Sequence, residues 1–299
     1  AILEGVSVRG NYDVDLAISP KGFLAYTAGA AMGSVTELVW VSRDGVTMPV
    51  DPGFARQFRN RPVISPDGKT LAVEIGEGSE SSIWVKTLDR GPAAKLVAKG
   101  SEPVWSPDGK SVYYTSGMSL MRVPADGGKL PVQVFMQGEN MINLDATRDG
   151  KWFVYTTLRD MLMRSTTGDS AASVIGGKSA EALWPTVSPD GRWLVYGSVE
   201  TGAPEITVRP FPNTEMTKRQ VSSNEGYIPR WSRDGRELLF LDSNYDLISV
   251  PVFPGAAFTF GAPVRLFPAG SYALQNTAFE DAPDGKRFLF TRPPGGGAT

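Results

Sequence analysis

The residues able to do chemistry in this chain are few in kind. Its 299 residues include no His and no Cys, against 30 Lys and Arg and 32 Asp and Glu. Without His, the usual general base of hydrolytic triads and the commonest ligand of catalytic zinc, copper and iron are missing. Without Cys there is no thiolate nucleophile, zinc-thiolate site or disulfide. Carboxylate, guanidinium and aromatic chemistry remain. The acidic set that can plausibly converge is Asp13 and Asp15 with Glu102, a composition suited to a glycosidase carboxylate pair or to calcium. Solvated turn carboxylates are the other reading of the same residues. No cofactor fingerprint is present, so no catalytic residue, metal or cofactor is assigned and the chain is expected not to be an enzyme.

Which of these residues can meet depends on the elements that carry them. The tetrapeptide Ser65-Pro66-Asp67-Gly68 recurs as Ser106-Pro107-Asp108-Gly109 and Ser188-Pro189-Asp190-Gly191. Degenerate copies are Ser19-Pro20-Lys21-Gly22, Thr147-Arg148-Asp149-Gly150, Ser232-Arg233-Asp234-Gly235 and Ala282-Pro283-Asp284-Gly285. Successive glycines lie 46, 41, 41, 41, 44 and 50 residues apart, the repeat length of a four-stranded propeller blade. Pro presets the second position of a type I turn, Asp bonds the local backbone and Gly accepts the left-handed conformation that ends a short hairpin loop. The repeated Asp residues therefore belong to turns rather than to a metal site.

Short apolar runs follow the turns, among them Phe23-Leu24-Ala25-Tyr26, Trp152-Phe153-Val154-Tyr155 and Trp193-Leu194-Val195-Tyr196, as expected of strands buried on both faces. Third strands are read at Leu38-Val39-Trp40-Val41, Ile83-Trp84-Val85 and Leu247-Ile248-Ser249-Val250, and in three other units. No helical periodicity survives the Gly and Pro. Pro62, Pro103, Pro185 and Pro229 stand three residues before their tetrapeptides, which places the opening strand where one edge is free, at the channel of a propeller. The expectation is an all-β, single propeller of four-stranded blades, seven in number with six as the alternative. Its units are approximately 9–53, 54–99, 100–138, 139–179, 180–224, 225–270 and 271–299 with 1–8. The last unit lacks its outer strands, so pairing of N- and C-terminal strands, with Ile2-Leu3-Glu4-Gly5-Val6 as the N-terminal candidate, closes the ring.

Blade equivalence gathers the residues four before each tetrapeptide near one channel mouth: Asp15, Arg61, Glu102, Asn143 and Trp184, with Ile228 and Ala278. A mixed polar and aromatic funnel suits ligand recognition, and a wet, functionless mouth is the alternative. A protein-contact candidate lies at 54–61, where Phe54, Arg56, Phe58 and Arg59 combine apolar anchors with guanidinium groups. The other reading tucks both Phe residues into the adjacent blade. Trp84, Trp105, Trp193 and Trp231 sit at strand positions and read as core.

These repeats resemble TolB-like propellers, which are related to WD-repeat propellers but carry Ser-Pro-Asp-Gly in place of the Trp-Asp signature. Leu3-Glu4-Gly5-Val6, Leu38-Val39-Trp40-Val41 before Arg43-Asp44-Gly45, Val208-Arg209-Pro210-Phe211-Pro212 and Trp231-Ser232-Arg233-Asp234-Gly235-Arg236-Glu237-Leu238 are similar to propellers at the C-terminus of bacterial receptor-type Ser/Thr protein kinases. That resemblance implies an extracytoplasmic, non-catalytic module that binds a protein partner or small ligand, carried on a membrane-anchored protein or complex. A structural subunit of an envelope assembly is the alternative, and a His-independent carboxylate glycosidase a third. The formal charge of -2 lacks the basic excess of a nucleic-acid binder. No apolar run is long enough for membrane insertion within this chain, and its start at Ala1 fits a mature form or an excised domain.

Overall fold

The computed structural model describes residues 35–88, 91–167, 171–176, 182–215, 217–272 and 279–294, and the backbone of 16–18 and 24–26. Among the described residues every regular element is a strand, and all but two of the strands form six blades around one axis. Blade 1 comprises Phe58–Ile64, Thr70–Glu77, Glu80–Thr87 and Ala93–Val97. Blade 2 runs Ser101–Trp105, Ser111–Ser116, Ser119–Pro124 and Val132–Met136, and blade 3 runs Ile142–Ala146, Trp152–Thr156, Met161–Ser165 and Ser173–Val174. Blade 4 is Ala182–Val187, Trp193–Ser198, Glu205–Pro210 and Arg219–Gln220. In blade 5, Gly226–Trp231, Glu237–Asp242, Asp246–Phe253 and Val264–Pro268 pair in turn, and Thr259–Phe260 pairs with the far end of the third strand.

Blade 6 is assembled from both ends of the chain. Glu280–Asp281 and Arg287–Arg292 come from the C-terminal side, Glu37–Ser42 and Thr47–Pro49 from the N-terminal side. The junction runs in register over six pairs, from Arg287 opposite Ser42 to Arg292 opposite Glu37, and an Arg292–Glu37 ion pair of 2.9 Å fastens its end. The blade count is thus six, the alternative to the preferred seven. Glu37–Ser42, read as the third strand of the first unit, is the third strand of the last blade. The first tetrapeptide is flanked by Leu16–Ile18 and Leu24–Tyr26, which pair with each other as a two-stranded sheet. The candidate closing segment at 1–8 lies outside the described residues.

Six apolar clusters fill the six seams between neighbouring blades. Trp105 and Trp231 are buried in two of them, and their indole N–H groups donate to Val63 O (2.9 Å) and Thr186 O (3.4 Å) of the preceding blade. The tetrapeptide turns form a second ring. In blade 1, Ser65 Oγ donates to Asp67 Oδ1 (2.6 Å), which also accepts from the Lys69 N–H, while Gly68 N–H donates to Ser65 O (2.9 Å). Four of the six turn glycines abut the turn proline of the preceding blade: a Cβ built on Gly68 would lie 2.5 Å from Pro283 Cγ, on Gly109 3.6 Å from Pro66 Cδ, on Gly150 3.2 Å from Pro107 Cγ, and on Gly235 3.4 Å from Pro189 Cδ. Two steps of the ring lack this contact. There Arg148 or Arg233 replaces Pro, and Gly191 and Gly285 meet nothing within 4 Å.

The Pro-on-Gly contact predicts unequal costs for one substitution. Both Gly68 and Gly191 have positive φ, +75° and +72°, so Ala at either costs about 1 kcal/mol for backbone strain. Gly68→Ala also overpacks against Pro283 and should cost about 1–3 kcal/mol more. Urea melts of the two variants check this; equal losses would show that the turns do not bear on one another.

Candidate functional site

The opening strand of each blade is bent by a bulge, and the bulge decides what points along the axis. In blades 2 to 5 two residues oppose one on the neighbouring strand. The first of the two sits in left-handed backbone: Glu102, Asn143, Trp184 and Ile228, with φ of 53–55°. That conformation is unusual for a β-branched or bulky residue, so it is imposed by the ring rather than chosen locally. Blade 1 differs. Its register resumes only at Val63 after Arg59, so three residues oppose Val73 and the left-handed position falls on Asn60. The extra residue is Arg61, and the wider bulge sends its guanidinium into the channel.

Arg61 meets carboxylates from two other blades: Glu280 of blade 6 at 3.0 Å and Asp145 of blade 3 at 3.7 Å. All three side chains are only 15–17% exposed. Burial pulls the Arg61 guanidinium down, but Glu280 and Asp145 outweigh it and hold it above its ordinary value. Asp145 also accepts from Thr186 Oγ1 of blade 4 (2.7 Å). The cluster thus ties together blades 1, 3, 4 and 6 at the axis.

This plug divides the channel. On the turn side lies a chamber of about 290 Å³. Its walls include Val63, Val104, Trp105, Val187 and Trp231, and four guanidiniums, Arg61, Arg148, Arg230 and Arg233, line it with Asp145, Glu280 and Asp281. Arg148 and Arg233 hold the second turn position, where Pro66, Pro107 and Pro189 also line the chamber. Freed of the Pro-on-Gly contact, both reach across the mouth. Arg148 Nη1 donates to Arg233 O (2.6 Å), and Arg233 donates to Ile64 O and Ser65 O of blade 1 at 3.3 and 3.2 Å. Asp281 accepts the Arg233 N–H at 2.9 Å, and burial with Glu280 beside it raises its carboxyl to about 6.

On the bulge side of the plug is a recess of about 30 Å³. Arg61, Glu102, Asn143 and Trp184, four of the five residues grouped from the repeat, line it together; Asp15 and Asp13 lie outside the described residues. Asn143 donates to Thr156 Oγ1 (3.1 Å), and Trp184 makes an edge contact with Tyr227 at 6.2 Å. Glu102 is raised to about 7 by burial and by the neighbouring Glu74 carboxylate. Glu74 accepts both the Glu102 N–H (3.1 Å) and Asn60 Nδ2 (2.7 Å).

Of the two readings of the segment at 54–61, the structure has the Phe residues tucked into the core. Phe54 and Phe58 are 5% and 7% exposed, pack as tilted rings with centroids 5.5 Å apart and belong to the core between blades 6 and 1. They are therefore not available as anchors. Arg56 folds over the Phe54 ring, and Arg59 donates to Gly78 O (2.8 Å) and Ser81 Oγ (3.2 Å). Arg148, Arg230, Arg233, Asp145 and Glu280 escaped the sequence reading. The signal for two of them was the replacement of Pro by Arg within an otherwise regular motif. Among the described residues, no group of three or more acidic side chains is placed to hold a metal ion.

The axial site and closed blades define a β-propeller. Within that class the chain has the TolB-like fold: TolB of Agrobacterium tumefaciens superposes with a TM-score of 0.62 at 20% identity, over 87% of this chain and 99% of that one. Oligogalacturonate lyase of Vibrio parahaemolyticus superposes at 0.56 with 14% identity, over 85% of this chain and 78% of that one. No family model matches the chain. In sequence, a Bacillus subtilis (strain 168) protein named uncharacterized peptidase YuxL is 29% identical over 171 residues, 55% of this chain. The match spans only 25% of that relative's length. These findings correct the expectation that the chain is not an enzyme: a sequence relative carries a peptidase name and a protein of the same fold is a lyase.

The raised carboxyls of Glu102 and Asp281 fix a pH dependence. Each binds its proton more tightly folded than unfolded, so its contribution is complete at low pH and is lost as pH rises through about 6 to 7. Wild-type protein should melt a few degrees lower at pH 8 than at pH 5, the equivalent of order 1 kcal/mol or more. Glu102→Gln should raise the melting temperature at pH 8 and flatten the profile; a profile unchanged by the substitution contradicts the assignment.

Proposed function

We propose that this propeller is an extracytoplasmic recognition module whose central channel takes the ligand. The observation that carries the reading is the axial cluster. A widened bulge spends a guanidinium on the channel axis, and blades 1, 3 and 6 position charges there at 3.0 and 3.7 Å. A ring built only as a spacer gains nothing from burying Arg61, Arg230, Asp145 and Glu280 on its axis, because charged groups there cost desolvation that apolar residues avoid. The bulge-side recess with Glu102, Asn143 and Trp184 adds hydrogen-bonding groups and an aromatic edge to the same channel. The TolB-like fold and the resemblance to kinase-borne propellers support a setting outside the cytoplasm, on or near a membrane-anchored assembly.

One feature favours a rim-docking alternative. The outer strand Val132–Met136 exposes Val132, Val134 and Met136, beside Leu130 at 86% exposure, an apolar edge of the kind that adds a partner strand.

Retention of a ligand or partner from extracts of the source organism separates the two. Wild-type protein, a channel variant carrying Glu102→Gln, Trp184→Ala and Arg230→Val, and a Val132→Lys, Met136→Lys variant are incubated, desalted and analysed by mass spectrometry. The channel reading expects the retained molecule to be lost from the first variant and kept by the second. Retention by the channel variant and loss from the rim variant moves recognition to the outer edge.

A further inference from the structure

Three of the four guanidiniums lining the turn-side chamber have no carboxylate within 4.0 Å among the described residues. Arg61 is paired, whereas Arg148, Arg230 and Arg233 form no ion pair. Arg230 is the most telling. It occupies the strand position held by Val63, Val104, Asp145, Thr186 and Glu280 in the other blades, by the register of the opening strands. Its Nε is buried with no hydrogen-bond partner, and its Nη1 donates only to the adjacent Pro229 O at 3.0 Å. Burial and the charge of Arg61 push it down to about 9 against the attraction of Asp145, Glu280 and Glu102, none of which forms an ion pair with it, and it remains a cation at neutral pH. Arg148 is lowered in the same way, by burial and by Arg233. The acceptors available to Arg148 and Arg233 are backbone carbonyls.

Four guanidiniums share this half-enclosed space with three carboxylates, of which Asp145 and Glu280 pair with Arg61, so the chamber carries an excess of positive charge that an anion relieves. A guanidinium presents a planar fork of donors that matches a carboxylate in pairs. Trp105, Trp231, Val63, Val104 and Val187 supply apolar walls, which a bare inorganic ion would leave uncovered. At about 290 Å³ the chamber holds one small molecule. We propose that the turn-side chamber binds a small organic carboxylate, its acid group held by Arg148, Arg230 and Arg233 and its body laid against Trp105 and Trp231. This assignment rests on the channel being the recognition site and names the chemistry of its ligand.

The repeat itself supplies variants that separate binding from folding. Arg230→Val installs the residue of blades 1 and 2, and Arg148→Pro restores the motif at a turn position whose N–H makes no backbone hydrogen bond. Titration calorimetry and melting curves are recorded with succinate, N-acetylalanine, the neutral N-acetylalaninamide and inorganic phosphate. The acids should bind and raise the melting temperature of wild type, with affinity at least tenfold weaker in Arg230→Val and several-fold weaker in Arg148→Pro. Both variants, without ligand, should melt no lower than wild type, because each removes a cation that has no ion-pair partner. Equal binding of acids by wild type and variants, or binding of the amide or phosphate as tightly as the acids, overturns the proposal. So does a lower melting temperature of Arg230→Val with its acid response intact, which is the mark of a structural arginine. If no acid binds wild type while a compound retained from extract is still lost from the channel variant, the carboxylate assignment falls and the channel reading stands.

Discussion

Everything on the axis depends on how the ring is closed. Strand Glu37–Ser42 must complete blade 6 against Arg287–Arg292, since only then do Glu280 and Asp281 meet the Arg61 guanidinium and the Arg233 N–H of the two neighbouring blades. Pairing the two ends of the chain also removes the long free edge that an open array of blades would present. The junction is apolar on both sides: Phe288, Leu289 and Phe290 are essentially fully buried, as are Val39 and Val41. Phe290 contacts Phe279 and Tyr272 with centroids 5.5 and 5.3 Å apart, so the closing strand is held by aromatic packing as well as by its ladder.

Within the closed ring, one tetrapeptide performs two tasks according to its second residue. With Pro, the turn bears on the glycine of the following blade and helps set the spacing of the ring. With Arg, that contact is absent and a long cationic side chain crosses the channel mouth instead. The two exceptions stand in blades 3 and 5, and Arg148 of one reaches the backbone of Arg233 in the other. A departure from the repeat therefore coincides with a departure from a purely architectural role, as expected where local rules yield to a site.

The sequence made the turns, the opening strands and the buried Trp positions legible because each is a local pattern with a local cause. The partner of Leu38-Val39-Trp40-Val41 was not legible. An apolar run buried on both faces pairs equally well with the strand before it or with one contributed 250 residues later, and nothing in its own residues distinguishes them. Arg61 shows a subtler limit. Counting back four from Ser65 aligned it with Glu102, Asn143 and Trp184, but the left-handed residue of blade 1 is Asn60, and Arg61 is the additional residue of a wider bulge. The segment at 54–61 had the composition of an exposed contact, yet its Phe residues serve the core between blades 6 and 1. Composition does not say which way a connection faces.

The central claim is that the unpaired guanidiniums of the turn-side chamber await an organic anion. Crystals soaked with 3-bromopropionate test it most directly, because bromine marks the ligand by its anomalous signal. The account predicts a bromine peak inside the chamber beside Trp105 or Trp231, with the carboxylate within hydrogen-bond distance of Arg230 and of Arg148 or Arg233. Bromine found only at surface Lys and Arg residues, with ordered water alone around Arg230, would contradict it.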